Sequence, residues 1–447
     1  MYPFKKRSVL ASCITALMLA GCGGGGSGSS ASESSRITSP NINGKPSLER
    51  VSAYQTSQHS SDVVECSKAF LNDESCDLAV IQPIGINDQD VTIDQIKQRL
   101  VVSDSWMAES FIAALEEIND QDLLNLFKPL NSVVISYDVR PSFYTTSTAS
   151  MYIDPRYVWR NKAEWDSIHK QEDYRRSFQT EFQVDNAQRY VVQGTNEYVT
   201  YSNTYRAGYY EARTTAQIAP GLFRLLAHEL AHANDFLPAL DLAQVPDAGS
   251  INDYIRPLVK LNADLQAHSP IESEILKEAA QIAFQGKDMT DAVRDMTGVE
   301  AGAAFEPDKA AEFYSYSHPA EDVAMLFEAY MMYKKYNALS DVAFLAIPQH
   351  ANPSCNDWKI QWGQRSRLSD AGVKERAVFV AGRILGKEDD AVLGELNGLP
   401  LAPSALNYGD GWCESQQVIS HASRGAWIEP SSSEEEENLR YLEDFEL

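Results

Sequence analysis

Two histidines four residues apart with a glutamate after the first, His228-Glu229-Leu230-Ala231-His232, constrain this chain more than any other feature. On a helix, positions i and i+4 face the same way, so both imidazoles reach one point in space. Such a pair on a rigid helix can hold a metal ion. Glu229 lies about 100° further round the helix, where it can touch a metal-held water without being a ligand. A metal lowers the pKa of that water from about 16 toward 7, and a neighbouring carboxylate can then take its proton during attack on a carbonyl. With eight histidines in 447 residues, an accidental match is expected on the order of one time in a hundred. Leu222, Phe223, Leu226, Leu230 and Ala233 form an apolar stripe that buries one face of this helix. The helix is expected to open at Pro220-Gly221 and to stop near Phe236, before Pro238.

The segment from His228 to Phe236 resembles the active-site helix of the zincin metallopeptidases. A metzincin would need Gly at 235 and His or Asp at 238, whereas this chain has Asp235 and Pro238. The gluzincin branch takes a glutamate from a later helix, and the segment from His318 to Tyr330 resembles that second helix, with Glu321 in the ligand place. Asp322 and Glu328 are the alternatives. The resemblance implies an α+β fold, a zincin-like catalytic domain with a small mixed sheet and predominant helices. It also implies Zn²⁺ held by His228, His232 and Glu321, with Glu229 as general base. Glu328, two turns beyond Glu321, and Asp235, seven residues beyond His228, are candidates for orienting an imidazole through its outer N–H. The thermolysin-type pattern carries an acid four residues after the ligand, where this chain has Met325. A Tyr or His donor stabilises the oxyanion in this clan. Tyr330 is taken for that part from among Tyr330, Tyr333, Tyr316 and His318, in a chain of 21 tyrosines.

Lys5, Lys6 and Arg7 precede an apolar run from Val9 to Ala20, long enough for a signal peptide and short for a membrane span. The run ends in Leu19-Ala20-Gly21-Cys22, which resembles the lipobox of bacterial lipoproteins. That resemblance implies a signal peptide over 1–21, a lipid on Cys22 and a place in the bacterial cell envelope. Gly23, where some bacteria mark inner-membrane retention with Asp, favours the outer membrane. Residues 22–50, rich in Gly and Ser, are expected to form a flexible tether. Of six cysteines, Cys13 lies in the signal and Cys22 takes the lipid. An oxidising compartment would pair the other four, and Cys66 with Cys76 and Cys355 with Cys413 is the favoured choice of three pairings.

Acidic residues outnumber basic ones 63 to 38, a formal charge of -25. Without clustered cations the chain is no nucleic-acid binder, and its expected partners are a protein or peptide substrate and, through the lipid, the membrane.

Apolar periodicity predicts helix from Val91 to Phe127, a helical N-terminal segment over 51–130. Strands are expected over Val133–Val139 and Ser150–Asp154, with a weaker third over Tyr198–Tyr201. Either of the last two could be the sheet edge that pairs with an extended peptide. The catalytic domain is placed at 131–340, with a second helix from Pro319 to about Tyr336. A mixed C-terminal region over 341–430 and an acidic tail over 431–447 follow. Two other functions fit the same residues: a catalytically inactive zincin-fold surface protein for binding or adhesion, and a metal hydrolase of a non-peptide bond. Glu229 speaks against the first, since hydrolysis needs that carboxylate and metal binding alone does not.

Overall fold

Three short runs rich in Val and Ile build the first sheet. In the computed structural model, which describes residues 45–87, 90–170, 173–179, 181–208, 210–350 and 353–413, β2 (Leu100–Val102), β3 (Ser132–Ile135) and β5 (Ser150–Ile153) pair in parallel. They are flanked by antiparallel edges, β1 (Ser52–Ala53) and β4 (Phe143–Thr145), in the order β1-β2-β3-β5-β4. Every residue of the three central strands is buried, as parallel strands covered on both faces require. One face packs Val133, Ile135, Met151 and Ile153 into a core with Phe111 and Leu115 of the helix Ser105–Ile118 and Leu222, Leu226 and Leu230 of the helix Thr215–Phe236. The other face sets Val101, Val134 and Tyr152 against Val63, Phe70 and Ile251. The Cys66–Cys76 disulfide lies in that outer layer.

A second, antiparallel sheet runs β6 (Val184–Val192), β7 (Ala338–Ala346), β8 (Lys359–Arg365) and β9 (Ser404–Ala405), in that order. β6 and β7 are in register over their full length, from Val184 opposite Ala346 to Val192 opposite Ala338. One face joins the main core through Tyr190, Val342 and Phe344. The other is closed by Trp358, Trp412 and the Cys355–Cys413 disulfide. Arg189, buried on that side, lies over the Trp412 ring and pairs with Asp341 at 2.9 Å. The fold is α+β with helix predominating, as expected.

Several local expectations are corrected. The helical run over 91–127 is broken by β2, because Leu100–Val102 pairs with β3 rather than continuing the periodicity. The strand expected over Val133–Val139 ends at Ile135, and Tyr198 makes only an isolated bridge to Val191. The limits at 130 and 340 run through sheets: β2 lies before 130 and pairs with β3 after it, and β7 spans 340. The described residues accordingly pack as one unit. The signal peptide, Cys22, the tether up to residue 44 and the acidic tail lie outside the described residues.

Candidate metal centre

The helix Thr215–Phe236 begins earlier than Pro220 suggested. Thr214 and Gln217 form a reciprocal capping box, each satisfying a backbone N–H of the first turn. Pro220 therefore sits inside the helix, where it removes one backbone hydrogen bond. The helix Pro319–Tyr336 starts where expected, with Pro319 in the first turn and the His318 ring nitrogen Nδ1 accepting from Ala320 N at 3.1 Å. Glu321 and Asp322 fall in its first turn, where the helix dipole favours carboxylates. The two helices pack against each other along their length.

That packing brings three donors together. His228 Nε2 lies 3.3 Å from His232 Nε2, and Glu321 Oε2 lies 3.2 Å from each. The triangle is close to equilateral. A small ion bound tetrahedrally at about 2.05 Å needs donors about 3.3 Å apart, so these three atoms fit the group without rearrangement. His228, His232 and Glu321 form a site able to hold a metal ion, and Asp322 takes no place in it.

All four residues of the motif are enclosed. His228 and Glu229 are 1 % exposed, Glu321 2 % and His232 6 %. Both carboxylate oxygens of Glu229 are buried with no protein hydrogen-bond partner, an arrangement whose cost calls for an additional partner. Burial pushes the Glu229 carboxyl up, against the pull of His228 and His232. Burial also opposes charge on His228, but Glu321 and Glu328 beside it hold its imidazole up at about 10. Glu321 is held well below the ordinary carboxyl range by the same two imidazoles, despite its burial.

Behind His228 stands Glu328, on the face of its helix shared with Glu321. Its Oε2 lies 3.6 Å from His228 Nδ1, longer than a hydrogen bond. Its Oε1 accepts from Arg224 Nε at 2.7 Å and from Tyr190 Oη at 2.8 Å. Burial would raise this carboxyl too, yet Arg224 and His228 keep it below its ordinary value. Glu312, also buried, is pushed up to about 7 by its burial. Arg224, Tyr190 and Glu312 were not singled out in the sequence. Arg224 carried a signal, a cation within the apolar stripe one turn before His228.

Other expected residues are elsewhere. Asp235 accepts from the backbone N–H of Asn262 at 2.8 Å and from its side chain at 2.6 Å, which ties the helix end to the helix Leu261–His268. The Tyr330 hydroxyl bonds Glu395, Tyr316 bonds Asp308 at 3.0 Å, and His318 caps its own helix. The aromatic ring that approaches His228 is Tyr314, with centroids 6.3 Å apart. No known family model, curated protein or solved structure matches the chain.

Proposed function

We propose that the chain is a zinc-dependent peptidase of the cell envelope. The observation that carries the reading is Glu229, a buried carboxylate with neither oxygen engaged by the protein, next to a triangle of two imidazoles and a carboxylate with tetrahedral spacing. A His₂Glu donor set is one that zinc favours. When bound by His228, His232 and Glu321, Zn²⁺ supplies Lewis acidity for hydrolysis. The chain's own part in turnover falls to Glu229. Its carboxylate takes a proton from the attacking water as the carbon–oxygen bond forms, then returns it to the amine as the carbon–nitrogen bond breaks. Enclosure of the site keeps bulk water from competing for Glu229.

A peptide substrate also needs a backbone to pair with. Neither strand expected to serve is an edge of this kind: β5 lies between β3 and β4, and Tyr198–Tyr201 forms no strand. β4 is an edge, antiparallel to its neighbour, and its Tyr144 ring stacks on Phe236 at the end of the histidine helix. An extended peptide added to β4 would run beside that helix. The two disulfides suit an exported protein, consistent with a lipid on Cys22 as the anchor. Among the described residues no helix is long and apolar enough to cross a membrane.

The deciding experiment is metal content together with a peptide-library digest, comparing the wild type with Glu229→Gln. About one zinc per chain in both proteins, with cleavage by the wild type alone, is the expected result. Zinc without cleavage of any peptide by the wild type would overturn the peptidase reading, and undiminished cleavage by Glu229→Gln would overturn the part given to Glu229.

A further inference from the structure

His228 has two nitrogens and only one can face an ion. When Nε2 is a ligand, Nδ1 carries a hydrogen and needs an acceptor; what that acceptor does then fixes the plane of the ring. Glu328 Oε2 and His228 Nδ1 are both buried, neither has a hydrogen-bond partner, and they face each other across 3.6 Å. Whether Oε2 stays aimed at the ring depends on how the rest of that carboxylate is held.

It is held from two directions. Arg224, one helical turn before His228 on the same helix face, donates through Nε to Glu328 Oε1 at 2.7 Å and through Nη2 to Gln188 Oε1 at 2.7 Å. Tyr190 donates to the same Glu328 oxygen at 2.8 Å, and Gln188 Nε2 reaches the Tyr190 hydroxyl at 3.4 Å. Gln188 and Tyr190 lie two apart on β6 and so point to the same side of the sheet. Fixed by two side chains, one from a helix and one from a strand, with Gln188 bracing both, Oε1 leaves Oε2 one direction in which to point. All four residues are buried. An ion pair so deeply buried is ordinarily weak support for stability, and the geometry here gives it another role to fill.

We propose that Arg224, Gln188 and Tyr190 are positioning residues for the metal centre: they clamp Glu328 so that its free oxygen is placed to accept from Nδ1 of the His228 ring once Nε2 is committed toward His232 and Glu321. The inference rests on the metal-binding reading above and goes beyond it by giving the second sheet a part in the site. β6 and the ladder it forms with β7 then serve as the frame from which the ligand is aimed.

Two measurements on the full chain test it, one of them independent of metal. Arg224→Met keeps the bulk and removes the fork; Arg224→Lys restores a single charged donor. Zinc affinity, read by competition with a chromophoric chelator, is expected to fall 10–100-fold in Arg224→Met and in Glu328→Gln, to recover in part in Arg224→Lys, and to fall no further when Met and Gln are combined. In the metal-free wild type, the His228 Nδ1 proton is expected in the downfield region of the NMR spectrum, and Arg224→Met is expected to lose it. Unchanged zinc affinity in a folded Arg224→Met protein would overturn the clamp. So would a Nδ1 proton signal that is absent from the wild type or indifferent to Arg224. Absence of zinc binding in the wild type would instead remove the metal reading, with the Nδ1 signal still deciding whether Arg224 orients the ring.

Discussion

Asp322, the residue next to Glu321, is locked to Arg376 of the helix Ala371–Leu385, its Oδ1 accepting from Nη1 at 3.1 Å and its Oδ2 from Nη2, with neither side chain exposed to solvent. Gln266 adds a third donor to the same carboxylate at 3.0 Å. The carboxylate nearest in sequence to Glu321 is thus committed to holding the helix of Glu321 against two others. Arg376→Met is expected to destabilise the protein by about 3–5 kcal/mol, because it strands a buried charge. Replacing both partners by apolar residues is expected to cost less than replacing one. Chemical denaturation of the single and double variants measures this.

Metal uptake is expected to release protons. Buried between Glu321 and Glu328, the His228 imidazole is held up at about 10 in the ion-free chain, so an ion arriving at neutral pH must displace a proton. Affinity should therefore rise with pH, about tenfold per unit for each proton displaced. Titration calorimetry in two buffers of different ionisation enthalpy will show unequal heats; equal heats would contradict it.

Glu312 predicts a pH dependence of opposite form. Its carboxyl is raised by burial from an ordinary 4.5 to about 7 in the folded chain. The folded state thus binds more protons between these values. Stability from this group is full below pH 4.5 and is lost as pH rises through 7, by about 3 kcal/mol in all. Glu312→Gln keeps an oxygen to accept from Tyr314 N, as the carboxylate does at 2.9 Å, and should flatten that slope when metal-free variant and wild type are denatured side by side.

Two glycines should respond to alanine in opposite ways. A Cβ on Gly302 would stand 2.0 Å from the Trp362 ring, where the helix Gly298–Phe305 crosses β8. Gly302→Ala is expected to cost about 1–3 kcal/mol through overpacking and to shift tryptophan emission. Gly394, in the helix Asp389–Glu395, has nothing within 4 Å of a Cβ. Gly394→Ala should stabilise by up to about 1 kcal/mol, read in the same melts.

The candidate donor set was legible because helical spacing carries direct geometric meaning. His228 and His232 share a face whatever surrounds them, and Glu321 follows a His-Pro helix start that the structure reproduces. Tyr330 shows where such spacing stops helping. Nine residues past Glu321, it lies about 13 Å further along the helix axis and is engaged by Glu395. β6 was missed for a different reason: buried positions on it hold Gln188, Arg189 and Tyr190, so no apolar alternation marks it. Those side chains are tolerated inside only because Arg224, Asp341 and Glu328 meet them from distant parts of the chain. Pro220 misled in the simplest way, since a cap five residues upstream of Ala219 outweighed its own preference for a helix start.

Enclosure of His228, Glu229 and Glu321, none more than 2 % exposed, also sets a clock. Exit of an ion seated on these donors is therefore expected to be coupled to local opening of the structure around them, so that its residence reflects how often the body breathes as well as bond strength. A scavenger in large excess would then strip the centre at a rate that stops rising with its concentration. That plateau would report the local opening rate, and a substrate larger than an ion is expected to reach Glu229 through the same motion.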